Sequence, residues 1–301
     1  MHSRRPARRT DKAMPRADNQ MRYKLIALDV DGTVLNSALQ VTPELKDALA
    51  HLARRSLRTV LCTGRRWQST APVLRELGHA HPVVICSGGA LIKRADDEQT
   101  LHTDPLPHDM ARLVVDVVRR AGLVPMLLYD RPLKGRELKV SESERTQAER
   151  LTYLIANPAS CEFYPGAYPP GEEQALVVYT VDADRKIRAA ERQMRETVGQ
   201  GGIVEVMRQP RYGADQTAVE VHDPAATKWH GLEWLIKQWG ISPEEVVAIG
   251  DDVNDIPMLR AAGLSFAMGN ASDEVKAAAS AVTAGNDEHG VVLALRGVFG
   301  F

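Results

Sequence analysis

The strongest constraint on the fold is an alternation between short apolar runs and segments with helical spacing. Residues 24–30 (KLIALDV) form a continuous apolar run, which is typical of a strand covered on both faces of its sheet. Two more such runs, 57–62 and 82–86, follow, and the segment between them predicts a helix that ends near Leu77. Strands that alternate with helices predict a Rossmann-like, doubly wound parallel sheet of the α/β class.

The helix after the first run has a recognisable start. Thr42 suits the N-cap and Pro43 the first helical position, and Leu45, Leu49 and Leu52 then recur at helical spacing. The same alternation returns near the C-terminus, where the predicted helices and strands are, in chain order, 227–239, 245–250, 254–261, 264–268, a helix from Ser272, and a last helix over about 289–297.

The middle of the chain has a different pattern and predicts an α+β insertion. Its candidate strands and helices are 108–121, 124–130, 143–156, 175–181, 184–197, 202–208 and 217–222. Pro210 and Gly213 lie between the last two strands and predict a hairpin. We therefore expect a catalytic core of residues 22–87 and 223–301, with a cap domain over 88–222.

Composition narrows the class of protein. The chain has 301 residues, 44% of them hydrophobic, and a formal net charge of −1, so we expect no nucleic-acid partner bound through phosphate neutralisation. It has no apolar run of roughly 18 residues, so we expect no membrane span. Three cysteines without C-x-x-C spacing favour reduced thiols and a cytoplasmic location. Residues 1–21 are basic and almost without apolar side chains, which predicts a disordered tail.

The first chemical signal is Asp29-Val30-Asp31-Gly32-Thr33, at the end of the first predicted strand. Residues two apart on a strand point the same way, so we expect Asp29 and Asp31 to face one site. Ligands of parallel α/β sheets bind beyond the carboxyl ends of the strands. Two neighbouring carboxylates repel unless a cation lies between them, and oxygen ligands suit Mg²⁺. An ordinary strand followed by an Asp-Gly turn is the alternative.

Three later segments strengthen that signal. Thr63-Gly64-Arg65 ends the second strand, where a hydroxyl and backbone N–H groups suit phosphate oxygens. Lys228 opens a helix, where a cation opposes the helix dipole and an anion partner would offset it. Residues 250–255 (GDDVND) place three carboxylates and an amide after another strand. A plain turn, a solvated lysine and helix capping are the respective alternatives.

Together these segments resemble the haloacid dehalogenase superfamily of phosphohydrolases, which carries four motifs in this order. PVVICSGGALI, GDDVNDIPML and AGNDEHGVVLAL are similar to the Cof-type hydrolases, which carry an α+β cap between the second and third motifs. The resemblance covers residues 23–301 and is weakest in the cap. It implies a Mg²⁺-dependent phosphatase that acts on a small phosphorylated metabolite.

The resemblance also implies a role for each matching residue. Asp29 is the nucleophile that forms an aspartyl-phosphate, and Asp31 is the general acid and base. Mg²⁺ is held by Asp29, the backbone carbonyl of Asp31, and Asp251. Thr63 and Lys228 bind the phosphoryl oxygens.

Other residues of these segments have lesser implied roles. Gly64 is placed at the phosphate, Asn254 at the phosphate or at the waters of the metal ion, and Arg65 is given a supporting role. Asp255 is expected to hold the lysine or to support the metal site, and Asp252 to be a supporting or solvated residue.

The chain departs from the family pattern at two places. Gly88-Gly89-Ala90 stands where the family often has Asn-Gly-Ala, and Trp229-His230-Gly231 stands where a Gly commonly follows the lysine. Trp229 is expected to pack. His222 and His230 are expected to be spectators, because Asp31 already supplies acid–base chemistry.

Three rival functions remain open at this point. A phosphosugar mutase of the same superfamily would return the phosphoryl group to a sugar, and a non-catalytic relative would only bind its ligand. A receiver-like domain also accepts phosphate on Asp, but it is shorter and lacks a cap. We expect a monomer or a homodimer.

Overall fold

A computed structural model describes residues 22–78, 83–169, 171, 173–207 and 216–301. The predicted tail over residues 1–21, and the turn that contains Pro210 and Gly213, lie outside the described residues. The chain divides into two compact units, one formed by Met1–Arg58 with Ile241–Phe301 and the other by Thr59–Gly240. The predicted cap boundaries at residues 88 and 222 stay a prediction.

The strands and α-helices of the described residues are, in chain order, β1 (Leu25–Leu28), α1 (Pro43–Arg54), β2 (Arg58–Cys62), α2 (Trp67–Leu77), β3 (Val83–Cys86), β4 (Leu91–Arg94), β5 (Thr100–Thr103), α3 (His108–Arg120), β6 (Met126–Leu128), β7 (Leu138–Ser141), α4 (Arg145–Ala148), α5 (Thr152–Ala156), β8 (Cys161–Tyr164), β9 (Val177–Ala183), α6 (Asp184–Val198), β10 (Ile203–Met207), β11 (Gln216–His222), α7 (Lys228–Gln238), β12 (Val246–Gly250), α8 (Ile256–Ala261), β13 (Leu264–Ala267), α9 (Asp273–Ala278), β14 (Ala281–Val282) and α10 (Gly290–Phe299).

The first unit is built on parallel strands. β12 lies between β1 and β13, and β13 also pairs with β14, each pair parallel. Every residue of β1 and β12 is buried, as expected for strands with helices on both faces. The α/β class and its parallel core are therefore confirmed.

The helix starts of this unit follow their capping residues. Thr42 Oγ1 accepts a hydrogen bond from the Leu45 N–H at 3.3 Å, and Pro43 occupies the first position of α1, as predicted. Leu45, Leu49 and Leu52 are buried along one face of α1. Ser272 caps α9 in the same way. Local capping chemistry thus sets where these helices begin.

The second unit contains a sheet that is only partly parallel. β2 pairs with β3 in parallel, but β4 is antiparallel to β3 and β5 to β4, two strands that the sequence did not predict. The reversal occurs at Ser87, Gly88 and Gly89, whose φ angles of 52°, 70° and 125° are all positive. This left-handed turn folds the chain back along β3.

A six-stranded sheet in the order β10-β11-β9-β6-β7-β8 completes the second unit. α3 and α6 pack on one of its faces around a core that includes Val114, Val178 and Ile187. The predicted hairpin is confirmed, since β10 and β11 pair antiparallel from Ile203–His222 to Met207–Ala218. The prediction of a single helix over 143–156 is wrong. A 3-10 turn, α4 and α5 occupy those residues, and β7 and β8 were missed.

Among the described residues, no helix combines the length and the apolar character that crossing a membrane requires.

Candidate active site

The loop after β1 carries the first predicted motif. Asp29 is buried, and its N–H donates to the Ile249 carbonyl at 3.0 Å. β1 ends at Leu28, so Asp31 lies in a loop and the argument from strand alternation was wrong. Gly32, at a φ of +79°, turns the chain there. Any shared direction of the two carboxylates therefore comes from the loop and not from strand geometry.

Asp251 is held against this loop by hydrogen bonds to both carboxylate oxygens. The Thr33 hydroxyl donates to Oδ1 at 2.9 Å, and the Asn270 side-chain amide donates to Oδ2 at 3.2 Å. A Cβ at position 32 would lie 2.2 Å from Asp251 Oδ2, closer than any real contact. Glycine at position 32 is therefore needed for the turn and also for the approach of Asp251.

Asp255 orders the loop after β12 from the inside. It is fully buried, and its Oδ2 accepts the N–H groups of Asp251 and Asp252, each at 3.0 Å. The Asp252 carboxylate accepts from the Val253 N–H at 2.7 Å and caps the following 3-10 turn. Helix capping thus explains Asp252, while Asp251 is presented to the loop after β1.

The acidic groups of this unit fit a divalent cation. One carboxylate oxygen from each of Asp29, Asp251 and Asp255 lies within 4.8 Å of the others. Three oxygen donors and no nitrogen or sulfur match the preference of Mg²⁺. The ligand predicted from Asp31 is a backbone carbonyl, and it stays a prediction. Asn254 Oδ1 is buried and has no hydrogen-bond partner among the described residues.

Asn270 is a member of this network that the sequence analysis missed. Its side-chain amide donates to the Gly32 carbonyl at 3.0 Å as well as to Asp251. Its Oδ1 accepts a hydrogen bond from the backbone N–H of Asn286 at 3.0 Å. The side-chain amide of Asn286 in turn donates to the Leu35 carbonyl at 2.9 Å. The available signal was its position just beyond the predicted strand 264–268, where polar groups face a site.

The predicted phosphate-binding turn lies in the second unit, at the end of β2. Thr63 is buried, and its Oγ1 accepts from the Arg65 N–H at 3.1 Å. The Arg65 carbonyl accepts from the Ser87 N–H at 2.8 Å, and the Thr63 carbonyl from the Gly88 N–H at 3.2 Å. A Cβ at Gly64 would contact nothing within 4 Å. The turn is thus fixed by hydrogen bonds while its glycine faces open space.

Lys228 is the first residue of α7 and is 97% buried. Thr227 caps the helix by accepting the His230 N–H at 3.1 Å. A Cβ at Gly89 would lie 2.2 Å from the Thr227 carbonyl oxygen, so the turn after β3 packs directly against the start of α7. Trp229 and His230 are half-buried.

A buried ion pair follows the phosphate-binding turn. The Arg66 guanidinium donates to the Glu137 carboxylate, and it also lies 5.2 Å from the centre of the Tyr153 ring. Burial raises the pKa of Glu137, and the positive charge of Arg66 opposes that rise. The pair connects the N-terminus of α2 to the start of β7.

Comparison with known proteins identifies the family of this chain. A family model described as haloacid dehalogenase-like hydrolase matches residues 26–295. The phosphatase YwpJ of Bacillus subtilis is 32% identical over 287 residues, which cover 89% of this chain and 97% of that protein. The pyridoxal phosphate phosphatase YbhA of Escherichia coli is 27% identical over 277 residues, covering 88% and 95%.

A solved structure has a similar fold. The crystal structure of a haloacid dehalogenase-like hydrolase from Bacteroides thetaiotaomicron superposes with a TM-score of 0.74 at 25% identity, over 92% of this chain and all of that one. The motif order, the parallel core and the family match over most of the chain agree with one another. The chain belongs to the haloacid dehalogenase-like hydrolases, as its sequence motifs predicted.

Proposed function

We propose that this protein is a Mg²⁺-dependent phosphatase that releases phosphate from a small phosphorylated metabolite through an aspartyl-phosphate. The observation that carries the proposal is the acidic cluster of Asp29, Asp251 and Asp255. Asp29 is buried, and its backbone N–H is held by the Ile249 carbonyl, which supports its assignment as the nucleophile.

In the proposed mechanism, an oxygen of Asp29 attacks phosphorus and the bond to the leaving oxygen breaks. Asp31 protonates that oxygen as it leaves. Asp31 then takes a proton from water, whose oxygen attacks phosphorus and releases Asp29. One residue acts first as acid and then as base, so its proton is returned at the end of each turnover.

Asp29, the Asp31 carbonyl and Asp251 are the groups we assign to Mg²⁺. When bound, the ion offsets the repulsion between the nucleophilic carboxylate and the phosphate dianion. Asp255 supports this set by holding the backbone of Asp251, as its two hydrogen bonds indicate.

Phosphate binding is assigned to the second unit and to the loop after β12. We propose that Thr63 and the N–H groups around Gly64 bind phosphoryl oxygens, together with the Lys228 ammonium. Arg65 has a supporting role through its contacts with Thr63 and Ser87. Asn254 is assigned to the phosphate through its side-chain N–H groups, whereas its buried Oδ1, which has no partner among the described residues, is an acceptor and would suit a water of the metal ion.

The names of the relatives support a class of substrate. YbhA is named for pyridoxal phosphate, a small phosphorylated cofactor. We propose a sugar phosphate or cofactor phosphate as substrate and a cytoplasmic enzyme that acts as a monomer or homodimer. The three cysteines are buried and form no disulfide, consistent with reducing surroundings.

The test is phosphate release from a panel of phosphorylated metabolites, with and without Mg²⁺. Wild-type protein should release phosphate, and a chelator should stop it. Asp29→Asn should lower turnover by at least 10⁴-fold, roughly the effect of losing a nucleophile, while its circular dichroism stays unchanged. Turnover within tenfold of wild type in that variant would refute the assignment. Isomerisation of hexose phosphates without phosphate release would indicate a mutase instead.

A further inference from the structure

The loop between β6 and β7 of the second unit lies against the start of α2. At the end of this loop, the buried Glu137 pairs with Arg66. In its middle, the Gln68 side-chain amide donates to the carbonyls of Pro132 and Gly135, at 3.2 and 2.6 Å. Two residues at the start of α2 therefore hold the same loop.

The other end of the loop is fixed by a second buried ion pair. Lys93 of β4 is 97% buried, and its Nζ lies 2.5 Å from Asp130 Oδ1. Between the two ends, the Leu133 N–H donates to the Glu98 carboxylate at 2.7 Å. Because the loop is held at both ends and in the middle, it brings Glu137 to α2 in a defined position.

Glu137 meets the N-terminus of α2, where a carboxylate is favourable. Arg66 is the N-cap residue of this helix, and its own side chain makes no capping hydrogen bond. Burial raises the pKa of Glu137, whereas the charge of Arg66 and a hydrogen bond from the Gln68 backbone N–H oppose that rise. A carboxylate at this position stabilises the first N–H groups of a helix and complements its dipole. The start of α2 thus depends on a residue 71 positions away in the sequence.

Arg66 directly follows the predicted phosphate-binding turn. Its carbonyl accepts from the hydroxyls of Ser69 and Thr70, at 3.0 and 2.9 Å, which fixes its backbone to the first turn of α2. On its other side, the Arg65 N–H donates to Thr63 Oγ1 at 3.1 Å. A displacement of Arg66 would therefore move the N–H groups of the turn that we assign to phosphate.

The ion pair of Arg66 and Glu137 is buried enough to impose such a displacement when it is broken. The two side chains are 10% and 2% exposed. Removal of one partner of a buried pair leaves an uncompensated charge, so the remaining side chain has to move towards water or lose its charge. The backbone of Arg66 would follow its guanidinium.

We propose that Glu137 is a positioning residue for phosphate, which acts through Arg66 to hold the turn of Thr63 in the geometry that binds phosphoryl oxygens. This inference rests on the proposed phosphatase function and adds to it a residue of the six-stranded sheet region. Glu137 is itself an anion and does not attract phosphate. Phosphate affinity should therefore depend on Glu137 through geometry, while Mg²⁺ affinity should not depend on it.

The experiment measures the Kd of inorganic phosphate by calorimetry with Mg²⁺ present, together with KM and kcat for p-nitrophenyl phosphate. In Glu137→Gln, Kd and KM should both rise about tenfold, roughly what one weakened hydrogen bond to a charged group costs. The change in kcat and in the half-maximal Mg²⁺ concentration should stay below about threefold.

A double-mutant cycle tests whether Glu137 acts through Arg66. Arg66→Met should raise the Kd of phosphate by a similar factor, because it breaks the same pair. The double variant Arg66→Met, Glu137→Gln has no unpaired buried charge, so it should fold even where a single variant does not. Its Kd should again be about tenfold above wild type, and not about a hundredfold, because the two residues act through one contact.

Glu144→Gln is the matched control. It breaks another ion pair of the second unit, in which Glu144 Oε1 lies 2.5 Å from Nε of Arg119 on α3. A merely structural role of Glu137 would lower the melting temperatures of Glu137→Gln and Glu144→Gln and leave the Kd of phosphate unchanged in both. We expect the Kd to change only in Glu137→Gln.

The outcomes separate this role from the proposed function. A Kd within twofold of wild type in the double variant would overturn the role of Glu137, and so would a hundredfold rise there, which would indicate independent residues. A Kd that falls in Glu137→Gln would also overturn it, because Arg66 would then be a phosphate ligand that Glu137 masks. A wild-type protein that binds phosphate but hydrolyses no ester with Mg²⁺ would overturn the proposed function alone, and the comparison of Kd values would still test Glu137.

Discussion

Gly32→Ala should separate the backbone role of the loop after β1 from its role at the cation site. The new Cβ would lie 2.2 Å from Asp251 Oδ2 and 2.8 Å from its Cγ. Asp251 must then rotate away, and it would lose hydrogen bonds from Thr33 at 2.9 Å and Asn270 at 3.2 Å. The displaced carboxylate is one of the two carboxylates that we assign to Mg²⁺.

The magnitude follows from those two contacts. Hydrogen bonds to a charged acceptor contribute about 1.5–3 kcal/mol each when buried. Because Asn270 is exposed, we take about 2–3 kcal/mol for the pair, which corresponds to roughly 30- to 150-fold in apparent Mg²⁺ affinity. The positive φ adds about 1–2 kcal/mol of lost folding stability.

Gly122→Ala is the matched control, because Gly122 has a similar φ of +71° and open space around it. Both variants should lose the stability that a positive φ costs in urea unfolding, Gly32→Ala somewhat more through its lost hydrogen bonds, but only Gly32→Ala should need more Mg²⁺ for half-maximal phosphatase activity and for thermal stabilisation. A Mg²⁺ requirement of Gly32→Ala within threefold of that of Gly122→Ala would refute this account of the site.

Three further predictions concern residues around the same elements. Asn270→Leu should weaken Mg²⁺ binding, measured by calorimetry, about tenfold through loss of its bond to Asp251, with little change in melting temperature because the side chain is exposed. Gly89→Ala should lower the free energy of unfolding by about 3 kcal/mol or more, since its Cβ would meet backbone atoms of Thr227, whereas Gly199→Ala, whose Cβ would meet nothing, should lose only the roughly 1–2 kcal/mol that a positive φ costs. Burial lowers the pKa of His222, but the carboxylates of Glu205 and Glu220 raise it by more. The pKa of His222 therefore lies above its ordinary value of 6.5. The stability that this proton adds is full below pH 6.5 and is lost as pH rises through the folded pKa. The melting-temperature advantage of wild type over His222→Gln should therefore shrink between pH 6 and pH 9, and an advantage that grows over that range would contradict the shift.

The sequence predicted best those elements whose signals are local. The N-cap at Thr42 and the buried leucines of α1 lie within one helix, so spacing and capping chemistry sufficed. The pairing of β10 with β11 was predicted for the same reason, because the two strands are close in the chain. The four motifs of the family were likewise visible because each occupies only a few consecutive residues.

Elements that depend on an unusual backbone conformation were missed, even where their partners are close in the chain. β4 and β5 exist because Ser87, Gly88 and Gly89 reverse the chain, and a non-glycine residue at φ +52° cannot be predicted from the identity of Ser87. The helix predicted over 143–156 had adequate apolar spacing, yet Ser141 instead caps a 3-10 turn through the Ser143 N–H. β8 follows these short helices and joins β7 at the sheet edge.

The candidate cation site shows why a motif alone underdetermines its geometry. The hydrogen bond from Thr33 to Asp251 joins residues 218 apart, and the bond from Asn286 to Leu35 joins residues 251 apart. The segment DVDGT therefore contributes the Asp29 carboxylate, while the position of its loop is fixed by groups from the last third of the chain. Ser37 donates its N–H and its hydroxyl to Asp287, at 2.8 and 2.6 Å, and extends the same attachment. Because no single interaction of this set is buried deeply enough to dominate, the position of the loop after β1 is a property of the whole network, and substitutions at Asn270, Asn286 and Asp287 should show non-additive effects on Mg²⁺ affinity.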